Sequence, residues 1–412
     1  MHSDPWDIVV VGAGAAGLMA AIRAAELGRR VLLLEKNRKP GVKILMSGGT
    51  RCNITHATDN RGIVEAYGTQ GRFLHSALAA FGVQDTIDFF EAEGVATKVE
   101  ETGKIFPVSN KALDVLNALL ARLQRSGAHL VLEEAVQQVD AQDEGFVLTT
   151  RTGTRLARRI ILTTGGQSYP GSGTTGDGYA LCRKFGHTIV TPQPALVPVT
   201  VAAEWIADLR GITLPDVAVR VVEADRTLAA RRGSLLFAHF GLSGPVILDV
   251  SRAVSRHPEP RRLHLEIDLA PQRQAAELDE WLRTETAAEG KKLLAVVLST
   301  LMPRRLAEAV LQAAKLPNDR RSAALSRQER AALVQACKRL TIPVTGTLGF
   351  AKAEVTAGGV ALDEVDSRSM QSKRVPGLYI AGELLDLDGP IGGYNFQAAW
   401  STGWLAGSKA SE

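Results

Sequence analysis

The stretch from Asp7 to Glu35 constrains the fold of this chain more than any other. Asp7-Ile8-Val9-Val10-Val11 predicts a short, fully buried strand, and Gly12-Ala13-Gly14-Ala15-Ala16-Gly17 follows at once. Leu18 to Leu27 predicts a helix with Leu18, Ile22 and Ala25 on one face, and a second apolar run, Val31 to Leu34, ends in Glu35. Strand, glycine turn, helix, strand, acid is the order of an α/β nucleotide-binding unit. Each glycine answers a separate demand: the first permits the tight turn, the second lets backbone approach a pyrophosphate, and the third lets helix pack closely on strand. The phosphates would sit on the helix N-terminus, where unpaired N–H groups and the helix dipole favour negative charge. Glu35, 23 residues after Gly12, is placed to accept hydrogen bonds from an adenosine ribose. An acid there disfavours a 2′-phosphate, so FAD or NAD fits better than NADP. A glycine-rich turn in some other α/β protein would not need strand, helix and acid in register.

At 412 residues the chain exceeds one ordinary core, and two or three domains are expected. Cys52, Cys182 and Cys337 are scattered with no CxxC, which argues against a disulfide framework, a zinc site or a dithiol pair. No metal is expected, and a reducing cytoplasm suits the three thiols. Met1 to Trp6 is short and polar, so no signal peptide is expected there, and no apolar run approaches the roughly 20 residues that span a bilayer. The expected location is cytoplasmic, away from membranes. Charge is uneven: Thr191 to Thr345 holds 22 Lys and Arg against 17 Asp and Glu, whereas the remainder holds 26 against 27. A solvated helical surface accounts for the excess, and so does a face for an anionic partner such as RNA. Nothing in the sequence sets an oligomeric state.

After Glu35 the segment from Lys36 to His56 reads as a loop built around a ligand. Lys36 and Lys43 are candidate pyrophosphate partners, and Gly48-Gly49 lets backbone lie against a flat ring. Phe73 to Glu93 and Ala112 to Ser126 predict amphipathic helices, the second with Leu113, Leu116, Leu120 and Leu123 towards the core. His129 to Glu134, Phe146 to Thr150 and Arg155 to Leu162 predict strands, and Ile160 to Leu162 runs into Thr163-Thr164-Gly165-Gly166. A second glycine-rich loop, Ser168 to Gly178, leads into a helix over Tyr179 to Phe185.

Around Thr191 the character changes, with Pro192, Pro194 and Pro198 marking a boundary. Leu196 to Val201, Val217 to Glu223, Ser234 to Phe237 and Leu263 to Ile267 predict strands of a small β domain over 191–270, which regains a strand near 340–346. Ala275 to Glu289, Lys291 to Leu301, Arg304 to Leu316 and Arg327 to Leu340 predict a helical subdomain over 271–340, with Ser326 capping the last helix. Near Gly346 the α/β character returns. Ala353 to Thr356 and Gly377 to Ala381 predict strands, and Gly382-Glu383, Gly392-Gly393-Tyr394-Asn395 and a helix over Ala398 to Lys409 follow. Residues 1–190 and 346–412 therefore belong to one discontinuous domain with 191–345 inserted.

Several stretches together resemble one family: KILMSGGTRCNIT (43–55), TGGQSYPGSGTTGDG (164–178), FAHFGLSGPVIL (237–248), AEVTAGGV (353–360) and the run from Met370 to Gln397. They are similar to the bacterial BaiN/RdsA-type flavoproteins, the aminoacetone-oxidase-like FAD-binding enzymes. The resemblance runs nearly end to end. It implies an α/β fold with a glutathione-reductase-like FAD domain built from both chain ends and interrupted by a β domain that carries a helical domain. It implies that Gly12, Gly14, Ala15, Ala16 and Gly17 hold the pyrophosphate and Glu35 the ribose. It places Ser47, Gly48, Gly49, Thr50, Arg51, Cys52 and Asn53 along the flavin, joined by Thr164, Gly165 and Gly166. Gly382-Glu383 and Gly392-Gly393-Tyr394-Asn395 would close on the ribityl chain and ring, and Val136 is a candidate backbone contact to the adenine. Two positions depart from the pattern: Thr50 stands where many members carry glycine, and Ala238 where many carry threonine.

The family has members linked to reduction of a C=C conjugated with a carbonyl, in steroid-like acids and in a uracil of large-subunit ribosomal RNA. Such a reaction needs hydride from reduced flavin, a donor for the carbonyl oxygen and an acid for the neighbouring carbon. Cys52, Arg51, Tyr169 and His239 are the candidates. Each has a plainer alternative: Cys52 a buried thiol, Arg51 a partner for the cofactor, His239 a hydrogen-bonded core histidine, Tyr169 a residue that shapes its loop. Three functions stay open: reduction of a uridine in ribosomal RNA to dihydrouridine, reduction or oxidation of a small-molecule enone or amine, and non-catalytic flavin binding. No dedicated nicotinamide domain follows, so NAD(P)H is a candidate transient electron donor at the flavin face.

Overall fold

A computed structural model describes residues 4–323 and 325–412; Met1 to Ser3, the start of the short polar segment, and Ala324 lie outside the described residues. The chain divides into two compact units, residues 1–194 with 354–412 and residues 195–353, a few residues from the composition breaks near 191 and 346.

In the first unit the apolar runs form the sheet that their burial on both faces requires. Trp6–Val11 lies between Val31–Leu34 and Gly153–Leu162, parallel to both, with Val9 opposite Leu32 and Val10 opposite Ile161. His129–Val131 extends the sheet beyond Val31–Leu34. Gly153–Leu162 is shared on its other side: its first half pairs antiparallel with Gly145–Thr150, and its last residues pair parallel with Leu378–Ile380. The C-terminal segment therefore supplies a strand to the N-terminal sheet, and Val136–Gln142 closes the far edge.

Helix Ala15–Glu26 covers this sheet with Leu18, Ile22 and Ala25 buried, and its outer side receives the closing helix Tyr394–Lys409. The two helices meet backbone to backbone. A Cβ on Gly403 would lie 2.3 Å from the Ala16 carbonyl oxygen, and one on Gly407 2.4 Å from that of Ala20.

Local differences from expectation have identifiable causes. The run read as a loop after Glu35 contains a helix, Val42–Thr50, that breaks at Ser47, Gly48 and Gly49. The single helix expected over Phe73 to Glu93 is a 3₁₀ turn and two helices, His75–Ala80 and Val83–Ala92, interrupted at Phe81-Gly82. Gly82 fits closely there, for a Cβ would sit 2.5 Å from the Asn60 amide oxygen. Ala112–Ser126 is a helix over its expected span, but Leu113 is 52% exposed, and Val115, Leu116, Leu119 and Leu123 form the buried stripe. The closing helix begins at Tyr394 rather than Ala398, with Gly393 as its N-cap.

The second unit is a closed six-stranded barrel in the order Val199–Val201, Gly241–Ser243, Arg226–Ala238, Thr213–Glu223, Leu263–Asp268 and Leu340–Thr347. Closure leaves no unpaired edge. Helix Pro245–Ser255, absent from the sequence reading, packs on the barrel, and helices Ala275–Ala288, Leu294–Leu298, Arg304–Ala313 and Arg327–Lys338 precede the last strand. Barrel and helices share one apolar core, so 191–270 and 271–340 are not separately cored. Ser326 caps its helix reciprocally: Ser326 Oγ accepts the Glu329 N–H at 3.1 Å, and the Glu329 carboxylate accepts the Ser326 N–H at 2.8 Å. No helix among the described residues is long and apolar enough to cross a membrane.

Candidate functional site

The strand Trp6–Val11 delivers Gly12 to the C-terminal edge of the parallel sheet, where open α/β sheets hold their ligands. Gly12 has φ +102, and the Thr163 hydroxyl donates to the carbonyl oxygens of Val11 and Gly12, each at 2.9 Å. A Cβ on Gly17 would lie 1.8 Å from the Gly12 carbonyl oxygen and 2.6 Å from Thr163 Oγ1. The protein itself thus demands the first and third glycines. Gly14 is different: it caps the helix with φ −82, and a Cβ there meets no atom within 4 Å. No side chain caps this helix end and no acid lies in its first turn, so the N–H groups of Ala15, Ala16 and Gly17 are left for an anion.

Glu35 is buried beside this turn. Its Oε2 accepts the Ala13 N–H and its Oε1 the Asn37 N–H, both at 2.8 Å. Those bonds fix the carboxylate and leave lone pairs for a ribose. Val136 begins the strand Val136–Gln142 half-buried and paired with Thr150.

Lys36 does not face the turn. Its ammonium pairs with Asp177 and hydrogen-bonds Thr175 Oγ1 at 2.7 Å, fastening the loop Ser168 to Gly178. Lys43 projects from helix Val42–Thr50 to Glu383 Oε2 at 2.5 Å and Ser168 Oγ at 2.7 Å. Glu383 Oε1 accepts from Ser168 Oγ at 2.9 Å and from the Thr356 N–H at 2.8 Å, while Thr356 Oγ1 accepts the N–H groups of Gln167 and Ser168. One half-buried carboxylate therefore ties together four segments of chain. A Cβ on Gly166 would sit 2.4 Å from Thr356 Oγ1, so the expected Thr164-Gly165-Gly166 segment belongs to the same knot. Carboxylates also act on two phenols: burial first, then Asp388 and Glu383, holds Tyr67 well above its ordinary range, and burial with Glu383 does the same for Tyr179.

From Ser47 to Asn53 the backbone is unusual. Gly48, Gly49, Thr50 and Cys52 all have φ between +55 and +68. A Cβ on Gly49 would meet nothing within 4 Å, whereas one on Gly48 would lie 2.9 Å from the Phe106 ring, so the backbone is open at Gly49 and packed at Gly48. Arg51 pairs with Glu100 at 2.6 Å and lies 4.0 Å over the Phe106 ring, which binds it to its own fold. Cys52 is fully buried, and burial pushes its thiol up to about 12 despite the hydrogen bond with Ser47. A thiol so placed stays protonated at neutral pH and is a poor nucleophile. Asn53 bridges to the closing helix, its amide donating to the Thr55 carbonyl and accepting the Gly393 N–H, each at 3.0 Å.

Gly392 and Gly393 have φ +124 and +99. His56, which sequence reasoning passed over, donates from Nδ1 to the Gly392 carbonyl at 2.9 Å and stacks on Tyr394 with ring centres 4.5 Å apart. Asn395 folds back on Gly389 and Pro390. Tyr169 precedes Pro170 with φ +53, half-buried, and among the described residues its hydroxyl has no hydrogen-bond partner. His239 belongs to the second unit: with Phe240 it forms the exposed tip between Arg226–Ala238 and Gly241–Ser243, so it is not a core histidine. Thr163, Ser168 and Thr356 were missed. Only the position of Thr163 at the end of a buried strand was a signal.

The bare helix end at Gly14, the buried Glu35 carboxylate beside the turn and the left-handed backbone at Gly48-Gly49 fit FAD. Among the described residues no group of His, Cys, Asp and Glu could hold a metal ion.

The sequence profile of the HI0933-like protein Rossmann domain matches residues 6–409. A ribosomal RNA dihydrouridine synthase of Escherichia coli is 35% identical over 402 residues, covering 97% of each chain. A 3-dehydro-bile acid delta(4,6)-reductase of Clostridium scindens is 32% identical over 408 residues, 98% of this chain and 99% of that one. The structure of a 3-ketosteroid delta1-dehydrogenase from Sterolibacterium denitrificans shares the fold with a TM-score of 0.53 at 15% identity, over 99% of this chain and all of that one.

Proposed function

The chain belongs to the HI0933-like Rossmann-domain family of FAD-dependent oxidoreductases, and from that membership we propose that it reduces a C=C conjugated with a carbonyl, in a uridine of ribosomal RNA. The observation that carries the reading is similarity over nearly the whole chain to two relatives whose named reactions share this chemistry. Dihydrouridine is uridine with its ring alkene reduced, and the bile-acid reaction reduces alkenes conjugated with a ketone. The ribosomal substrate is preferred because the matching synthase shows the higher identity and because the inserted segment carries the positive charge.

FAD in its reduced form supplies the hydride. The chain's part is to hold and orient it: Gly12, Gly14 and Gly17 with the N–H groups of Ala15 and Ala16 take the pyrophosphate, and Glu35 takes the ribose. Val136 offers backbone to the adenine. The Gly48-Gly49 strip lies along the ring, and Lys43, through Glu383 and Ser168, fixes the loops that flank it. Lys36 acts on the loop from Ser168 to Gly178 rather than on phosphate. Reduction also needs a proton at the carbon next to the carbonyl. Tyr169 is the donor we propose: its hydroxyl is unpartnered among the described residues and its backbone is left-handed. Cys52 keeps its proton too tightly, and Arg51 is committed to Glu100. NAD(P)H is the proposed reductant.

The test is anaerobic mixing of the reduced holoprotein with large-subunit ribosomal RNA transcripts or with a small 3-oxo-alkene. Reoxidation by RNA with one dihydrouridine formed per flavin supports the reading. Reoxidation only by the small enone transfers the chain to the second reading, which the 32% identity to the bile-acid reductase favours.

A further inference from the structure

Within the barrel-and-helix unit, a cleft of about 640 Å³ lies among Trp205, the C-terminal end of helix Arg304–Ala313, helix Arg327–Lys338 and the start of strand Leu340–Thr347. Its volume is that of an ordinary ligand pocket. The polar lining is Gln312, Lys315, Gln335, Arg339 and Thr341 over a floor of alanines, and no carboxylate lines it.

Two features of its charge point to an anionic ligand. Arg339 pairs with the buried carboxylate of Glu266, which also receives Arg220 at 2.7 Å, so two guanidiniums share one negative charge. Lys315 is exposed and has no carboxylate partner among the described residues. Lys315 has φ +59 in a helix-ending motif, with its N–H on the Gln312 carbonyl and the Leu316 N–H on the Leu311 carbonyl, each at 2.9 Å. Glycine is the residue this position ordinarily takes, so the lysine sits there against local conformational preference. Half-buried Trp205, also in the lining, begins the short helix Trp205–Asp208, and Arg305 holds that helix by donating to the Asp208 carbonyl at 2.6 Å.

We propose that this cleft binds single-stranded RNA, with a base stacked on Trp205 and backbone phosphates on Lys315 and Arg339. An aromatic platform beside cations that protein carboxylates do not fully neutralise, here Lys315 and the shared Arg339, is the recurring arrangement for unstacked nucleic acid. A uridine must leave its stack before its ring is reduced, and a site that holds other nucleotides of the same RNA as single strand serves that need. The inference rests on the RNA reading above.

The experiment is fluorescence anisotropy of the FAD-loaded protein with a labelled oligouridylate of about ten nucleotides, at two salt concentrations. Lys315→Gly removes the cation and relieves the backbone, so the melting temperature holds or rises while binding weakens several-fold and the salt slope falls by about one. Trp205→Ala weakens binding roughly 5- to 100-fold, and Trp205→Tyr restores most of it. Photocrosslinking of a thiouridine-substituted oligomer should mark the peptides bearing Trp205 and Lys315. Wild-type binding by Lys315→Gly and Trp205→Ala, or crosslinks elsewhere, overturns the cleft as the RNA site and leaves the RNA reading standing. That is also the outcome if the cleft serves a protein segment. Absence of RNA binding by the wild-type protein, with flavin reoxidised only by small enones, overturns the RNA reading itself.

Discussion

Alanine at Gly14 and alanine at Gly17 should fail in opposite ways. At Gly14 the backbone, φ −82 and ψ −169, suits alanine, and the new Cβ meets no protein atom within 4 Å. The apoprotein should therefore keep its stability to within about 1 kcal/mol. On the proposed binding mode, the same Cβ would fill the space through which backbone meets the pyrophosphate. Displacing an anion from a helix N-terminus forfeits up to about 2 kcal/mol. Losing one hydrogen bond to a charged group forfeits about 1.5–3 kcal/mol more. A total near 3–4 kcal/mol raises the FAD Kd roughly 100- to 1000-fold. At Gly17 the Cβ would lie 1.8 Å from the Gly12 carbonyl, so the damage precedes any ligand and destabilises the apoprotein by about 1–3 kcal/mol or more. Thermal melts of the two apoproteins and FAD titrations by flavin fluorescence separate the cases. Wild-type FAD affinity in Gly14→Ala would refute the assignment of this turn to the pyrophosphate.

Thr50 holds φ +68, which costs an L-residue roughly 1–2 kcal/mol, against about 0.5–1 kcal/mol of extra chain entropy lost by glycine. Thr50→Gly should then raise the melting temperature by about 1–3 °C, and a lower one would contradict the strain argument. His187 is buried between Glu364 (3.2 Å from Nδ1) and the Ser372 hydroxyl (2.8 Å from Nε2), and burial pushes its pKa below the ordinary 6.5 despite that carboxylate. The unfolded chain then binds the proton first: this contribution to stability is complete above about 6.5 and is lost as pH falls through the folded pKa. Denaturant melts of wild type and His187→Gln at pH 8 and pH 5 should show a smaller pH difference in the variant; equal differences would remove His187 as the cause. Cys52→Ala should cost about 1–2 kcal/mol of stability, keep bound flavin and leave kcat within a few-fold, because the thiol is buried and holds its proton up to about 12. A loss of kcat beyond 100-fold would restore Cys52 as the acid.

What was legible in the chain was local. Asp7 to Glu35 carries strand, turn, helix and acid in one continuous pattern, and Ser326 with Glu329 announces its helix within four residues. The same local logic marked Gly48-Gly49 but hid the helix from Val42 that leads into it, because paired glycines ordinarily break helices. Leucine spacing placed Leu113 in the core. The buried stripe instead follows Val115, Leu116, Leu119 and Leu123, a choice made by the surfaces the helix packs against. Partners distant in sequence were not legible at all. Lys36 beside a nucleotide turn suggests phosphate, yet Asp177 claims it; Glu383 gathers Lys43, Ser168 and Thr356; His187 meets residues 364 and 372. Gly403 and Gly407 read as ordinary helix glycines until Ala16 and Ala20 lie against them.

Mass spectrometry of dihydrouridine in large-subunit ribosomal RNA tests the proposed reduction of a ribosomal uridine most directly. Cells lacking the gene should lose the modified base and regain it with the intact gene, and Gly14→Ala should restore it poorly. An unchanged dihydrouridine level in the deleted cells would contradict the account and leave a small conjugated ketone as the substrate.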